Sequence, residues 1–321
     1  MLFSIYINFN VFVGLPKNYI YKIMSLDETL LKLNTLKDSL QEFDQNDLSE
    51  LSGINPIEMD KFQKWWESLN ELHKLNLIQK INQIAEENFE LEFYEILYFT
   101  LSDKNPNIRK ESLNGLWECE DYRIGDAASK ILLEDKEESV RVEASKLLRN
   151  FCYLIKNGKI SGRISEKIIN SINFVLANIS MDSELWRRTL ESTACFNTQS
   201  INHYIKKAYN SQNIMLTSSA VYAMGETDNV DWLNTVITET YNDSPEIRYE
   251  SAIALGKLGN EAVLPNIKEL LNDEDIQVQN CAIESLGIIG GPIAKKMLLS
   301  LPNDMPEIQE SLELALENLE S

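Results

Sequence analysis

"PEIRYESAIALGKLGNEAVLPNIKELLND" occupies Pro245–Asp273, and at Pro306 the chain begins nearly the same phrase again with "PEIQESLELALENL", 61 residues on. Half that distance is the period. Taking Ile247 of "IRYESAIAL" as an anchor, and asking for apolar or small residues four and eight positions later, finds "VQNCAIESL" from Val278 and "IQESLELAL" from Ile308. Toward the N-terminus it finds "LTSSAVYAM" from Leu216, "LWRRTLEST" from Leu185, "VRVEASKLL" from Val140 and "IRKESLNGL" from Ile108. The steps between anchors are 32, 45, 31, 31, 31 and 30 residues. Positions 1, 5 and 9 of each segment lie on one face of a helix with 3.6 residues per turn. Between anchors runs a second, shorter apolar helix, as in "VDWLNTVITETYND" and "GPIAKKMLLSLPND". Each unit is therefore a helix pair that buries its apolar face only against another like it, which is the logic of a solenoid.

The small residues at position 5, Ser112, Ala144, Ala220, Ser251 and Ala282, mark where neighbouring helices approach closely. Gly256 with Gly259, and Gly290-Gly291-Pro292, are expected to punctuate helix ends. No convincing strand is present, so the Gly-Gly-Pro turn does not read as a phosphate loop. The order of residues from Asp243 to Gly256, followed by "AVLPNIKELL", resembles the HEAT repeat of the short type of about 30 residues seen in phycobilisome-lyase-like proteins. The resemblance covers about residues 70–321. It implies a ladder of Asp–Arg pairs between units, here Asp103 with Arg109, Asp135 with Arg141 and Asp243 with Arg248. Gln279 and Gln309 replace the arginine and Thr217 abandons it, so those units rely more on packing.

The expected fold is thus an all-α, right-handed α-solenoid of HEAT-like helix pairs over 71–321. An atypical helical N-terminal cap over 24–70 covers its exposed end. Within the cap, Ser25 and Glu28 have capping-box spacing, Asn55 and Pro56 start a second helix, and Trp65 and Trp66 either pack the cap or mark a surface. The 45-residue step signals an insertion near 150–180, "KNGKISGRISEKI", read as a solvated basic loop feeding a longer helix. Residues 1–23 fit neither a secretory signal nor a membrane anchor, since Asn8 and Asn10 interrupt the apolar run. They read as an extension before a natural start at Met24.

With 30 basic against 50 acidic residues the formal charge is -20, which disfavours nucleic acid and anionic membranes as partners. Cys119, Cys152, Cys195 and Cys281 are too far apart for a close-spaced metal pattern and read as reduced, buried thiols. Only two histidines occur, His73 and His203, neither followed by Glu; HEAT-repeat deoxyhypusine hydroxylase, which the architecture resembles, holds di-iron with several His-Glu pairs. No nucleophile triad or phosphate loop stands out, so neither catalytic residues nor a cofactor are expected.

What remains is the surface of the anchored helices. The resemblance implies that these line the concave side, with positions 3, 4 and 7 pointing out. Arg187 and Arg188 beside Trp186 form a basic-aromatic spot, and Tyr222, Tyr249 and Ile253 form an apolar strip on adjacent units. Tyr and Arg are enriched where partners bind. The sequence reads as a non-catalytic scaffold in the bacterial cytoplasm, binding an unknown protein partner through these residues. The alternative, implied by the repeat type, is a phycobilin-lyase-like protein that binds or chaperones a chromophore.

Overall fold

The computed structural model describes residues 25–37, 45–302 and 305–319. The proposed extension over 1–23 lies outside them. Every element is helical among the described residues, and none of these helices is long and apolar enough to cross a membrane. The chain divides into two compact units at Gly115 and Leu116.

The first unit holds α1 (Leu26–Lys37), α2 (Gln45–Ser49), α3 (Pro56–Ser68), α4 (Glu71–Glu87), α5 (Tyr94–Thr100) and α6 (Pro106–Gly115). The capping box before α1 is reciprocal: Glu28 N–H donates to Ser25 Oγ at 3.4 Å and Ser25 N–H to Glu28 Oε2 at 2.9 Å. Asn55 with Glu58 builds a second one before α3. Trp65 and Trp66 are both buried, Trp66 stacked on Phe62 and Trp65 tilted against it, and their indoles donate to Asn34 and Asp103 at 2.8 and 2.9 Å. They pack this unit and present no surface.

The second unit is a double row. The anchored helices α8 (Glu138–Lys156), α10 (Glu184–Thr193), α12 (Ile214–Glu226), α14 (Pro245–Leu258), α16 (Ile276–Ile289) and α18 (Pro306–Asn318) pack in chain order. Beside them run α7 (Tyr122–Glu134), α9 (Arg163–Asn178), α11 (Gln199–Tyr209), α13 (Leu233–Glu239), α15 (Leu264–Leu270) and α17 (Gly291–Leu299), each against its own anchored partner. This is the α-solenoid read from the period. The long step is absorbed by extending α8 to 19 residues and α9 to 16. Its three lysines are paired within the unit, Lys156 to Asp228, Lys159 to Glu120 and Lys167 to Asp126.

Position 5 of the anchored helices is buried as expected, but the closest approach lies further along. Gly225, Gly256 and Gly287, at position 10, face Ala254, Ser285 and Ala315 of the following anchored helix. A Cβ on Gly225 would stand 2.9 Å from both the Cα and Cβ of Ala254. Gly256 is therefore a contact point inside α14 and does not end it; Gly259 is the C-cap. Gly290 ends α16 with φ +71°, as the Gly-Gly-Pro turn implies.

The expected ladder takes a different form. Arg248 forms a bidentate pair with Asp273 of the next repeat, at 2.7 and 2.8 Å, and donates to the carbonyls of Asn242 and Asp243 at 2.9 and 3.1 Å. Arg109 donates in the same way to the carbonyls of Asp103 and Lys104, and Arg141 to that of Leu132. The aspartates also set the turn before each anchored helix: Asp103 accepts from Asn105 N–H, Asp135 from Glu137 N–H and Asp273 from Asp275 N–H. Gln279 keeps one rung, reaching the Asp273 carbonyl at 2.7 Å.

Because Gly225 meets backbone as well as side chain, a β-branched residue there forces the two helices apart. Gly225→Val is expected to cost about 1–3 kcal/mol by overpacking, read as a lower urea midpoint.

Candidate functional site

The anchored row has one flank covered by its partner helices and the opposite flank free. Which side chains reach the free flank depends on where each helix starts. Ser183 caps α10 through Trp186 N–H at 3.4 Å, Asn213 caps α12 through Met215 N–H at 2.9 Å, and Pro245 opens α14. These starts place position 7 and position 11 one turn apart on the same face.

Of the six residues singled out in the sequence, Trp186 is the exception. It is 1% exposed, and its indole donates to the Leu176 carbonyl at 3.0 Å while its ring meets Tyr204 edge-on. Position 2 of the segment turns inward between α9 and α11, so Trp186 belongs to the core and offers a partner nothing. Arg187, Arg188, Tyr222, Tyr249 and Ile253 are all half-buried on α10, α12 and α14. Arg187 donates to Ser219 Oγ at 3.4 Å, Ser219 Oγ to Glu191 Oε1 at 2.7 Å, and Arg188 to Glu191 Oε2 at 2.7 Å. Tyr249 stands against the Cys281 thiol, and burial pushes each of the two up to about 12.

The centre of this face was not singled out in the sequence. Glu226, only 7% exposed, receives Arg149 Nη2 at 3.3 Å, the Tyr153 hydroxyl and the Lys257 ammonium. Burial pushes its carboxyl up, but Lys257, Tyr153 and Arg149 outweigh burial and hold it below the usual carboxylate range. The Tyr222 ring lies between Arg149 and Lys257, 5.2 and 5.7 Å from their cationic centres, and burial raises its hydroxyl, which has no hydrogen-bond partner. Arg149 comes from α8, two anchored helices before Glu226. The link is direct because α10 ends at Thr193 and the short turn Ala194–Phe196 packs against both α8 and α12. Glu226 and Lys257 each occupy position 11, one turn past the positions read from the sequence.

Glu250 is the second distinctive group. Its Oε2 is buried without a hydrogen-bond partner, and burial, reinforced by Glu191, pushes its carboxyl up to about 7. The four thiols are buried, and burial raises Cys152 and Cys195 as well as Cys281, so none of these three is a ready nucleophile. Among the described residues no three His, Cys, Asp or Glu stand together as a metal site.

Residues 233–317, from α13 to the last turn of α18, match the family model described as HEAT repeats. These residues are HEAT repeats. The same double row continues back to α7, so the second unit is one α-solenoid of stacked helix pairs. A 100-residue stretch is 28% identical to deoxyhypusine hydroxylase of Danio rerio; it is 30% of this chain and spans about a third, 32%, of that relative's length. Among solved structures, the complex of CpcE and CpcF of phycocyanin lyase from Nostoc sp. PCC7120 matches over 71% of this chain and 93% of that one, with TM-score 0.50 and 12% identity. The Escherichia coli protein YibA matches over 90% and 97%, with TM-score 0.41 and 19% identity. At 12% identity the phycocyanin lyase match speaks for the fold alone.

The Glu250 carboxyl sets a pH dependence. Raised in the folded state, it holds a proton that the unfolded chain releases, so stability falls as pH rises from the ordinary carboxylate range through about 7. Glu250→Gln is expected to be more stable than the parent at pH 8 by roughly 2 kcal/mol, and no different at pH 4, in paired urea titrations.

Proposed function

We propose that the chain is a non-catalytic adaptor that holds a protein partner along the free face of α10, α12 and α14. The helical-repeat scaffold is the part already given by the fold. The observation that supports the finer reading is the strip of half-exposed Arg187, Arg188, Tyr222, Tyr249 and Ile253 on three consecutive helices. Such residues supply rigid contact area and directional donors at low entropic cost, which is what a partner-binding centre requires. The Glu226 hub beneath them fixes Tyr222 between two cations, so the strip is ordered before any partner arrives. Arg187 makes a single 3.4 Å hydrogen bond to Ser219 and no ion pair among the described residues, leaving its charge available. At a formal charge of -20, nucleic acid and anionic lipid are not the partners proposed.

Pull-down from native lysate is expected to enrich a stoichiometric protein with the wild type and to lose it with Arg187→Glu plus Tyr249→Ala, both proteins keeping the same helical circular dichroism. Equal recovery by the variant would move the binding surface elsewhere. Pigment retained on co-expression with bilin synthesis would replace the adaptor reading with chromophore binding.

A further inference from the structure

The repeat itself supplies a template for a site that the free face does not include. In the repeat begun by Ile247, the Arg248 guanidinium fills the space between successive turns, held by the Asn242 and Asp243 carbonyls and by Asp273. One repeat earlier the same position is Thr217, and the residue corresponding to Asp273 is Asn242. The cation and its partner charge are both gone. An open groove of about 410 Å³ lies there, lined by Tyr209, Gln212, Thr217, Glu239, Asn242 and Ile247 among others.

The groove is a cavity with a charge in it. Glu239, 8% exposed, stands where the next repeat has Leu270. It accepts from the Tyr209 hydroxyl and from Asn242 Nδ2 at 2.6 Å, both neutral, and has no ion pair among the described residues. A buried carboxylate is expensive unless a cation compensates it, and two donors leave part of its acceptor capacity free. The carbonyls of Ser211 and Gln212, which correspond to those that hold Arg248, receive no side-chain donor among the described residues. The two turns share one contact, Asn213 N–H to Ser211 Oγ at 3.3 Å as Ser244 N–H to Asn242 Oδ1 at 2.9 Å, but Gln212 takes φ +59° where Asp243 does not, so the groove is a different shape from the Arg248 seat. A buried carboxylate with unfilled acceptor capacity thus borders the groove without a cation.

We infer that the Thr217 groove binds a guanidinium group, with Glu239 as its counter-charge. The carrier is an arginine side chain of a partner or arginine itself, placed where the neighbouring repeat puts its own. Guanidinium is favoured over ammonium because a carboxylate takes its fork in two parallel hydrogen bonds, as Asp273 takes Arg248 in the next repeat. The inference does not depend on the adaptor reading of the free face.

The test uses the full chain and three probes, the capped tripeptides Gly-Arg-Gly and Gly-Lys-Gly and free L-arginine, followed by backbone amide shifts and calorimetry. Gly-Arg-Gly or L-arginine is expected to shift the amides of Gln212, Thr217 and Asn242 saturably, with the lysine peptide at least about fivefold weaker. The tighter of the two arginine probes identifies the carrier. Glu239→Gln, which keeps the shape and removes the charge, is expected to weaken binding about tenfold. Thr217→Arg fills the groove from within, so it is expected to abolish binding and to raise Tm. No saturable shift, equal binding of the lysine peptide, or unchanged binding by a folded Glu239→Gln overturns the inference.

Discussion

Three contacts of almost no width set the spacing of the solenoid. Gly225 on Ala254, Gly256 on Ser285 and Gly287 on Ala315 bring successive anchored helices to backbone contact at one point per repeat. Helices this close cannot rotate independently, since the residues on either side interlock at fixed crossing angles. The phase of each helix is locked to the next, and with it which residues reach the free face. Tyr222, Tyr249 and Ile253 form a strip because the glycine contacts forbid any other register. Loss of one such contact would disturb side chains two turns away without touching them.

The architecture was legible because it rests on periodicity, and seven anchors in step leave little room for another fold. Finer readings failed where one residue type serves two purposes. Gly256 looks like a helix terminator in sequence, since a glycine at a contact point and a glycine at a cap are written alike. Asp243 looks like the partner of Arg248, but the arginine is long enough to reach Asp273 of the next repeat, and the nearer polar residue, Asn242, spends its side chain on its own turn. Trp186 adjoins two arginines along the chain, yet adjacent helix positions point about 100° apart, and it faces the core. The Glu226 hub was missed because the outward face was followed for two turns and not three. Its link to Arg149 depends on α10 being short, a length set by the break at Thr193 that no residue in "ESTACFN" announces.

The two distinctive polar sites arise from opposite departures from the repeat. At Glu226 the fold adds partners: three donors from two other helices converge on one buried carboxylate, and the network satisfies itself. At Thr217 the fold removes them, and a carboxylate stands beside an open groove. A repeat protein carries its own internal control for such comparisons, because the neighbouring unit shows what the same backbone does with the ordinary residues. Deviations from the repeat, more than the repeat itself, are where specific recognition is written.

The reach of Arg149 past α10 to Glu226 has a consequence for how the molecule comes apart. A stack in which each unit touches only its neighbours behaves as a one-dimensional chain, free to fray from either end one unit at a time. A bond between units two apart removes that freedom locally. The repeats from α8 to α12 are tied beyond nearest neighbours and favour opening together, whereas α14, α16 and α18 are held to their neighbours alone among the contacts described and can peel away first. The solenoid is then a cooperative block with a looser end, and Glu226 and Thr217 both sit on α12 where the two meet.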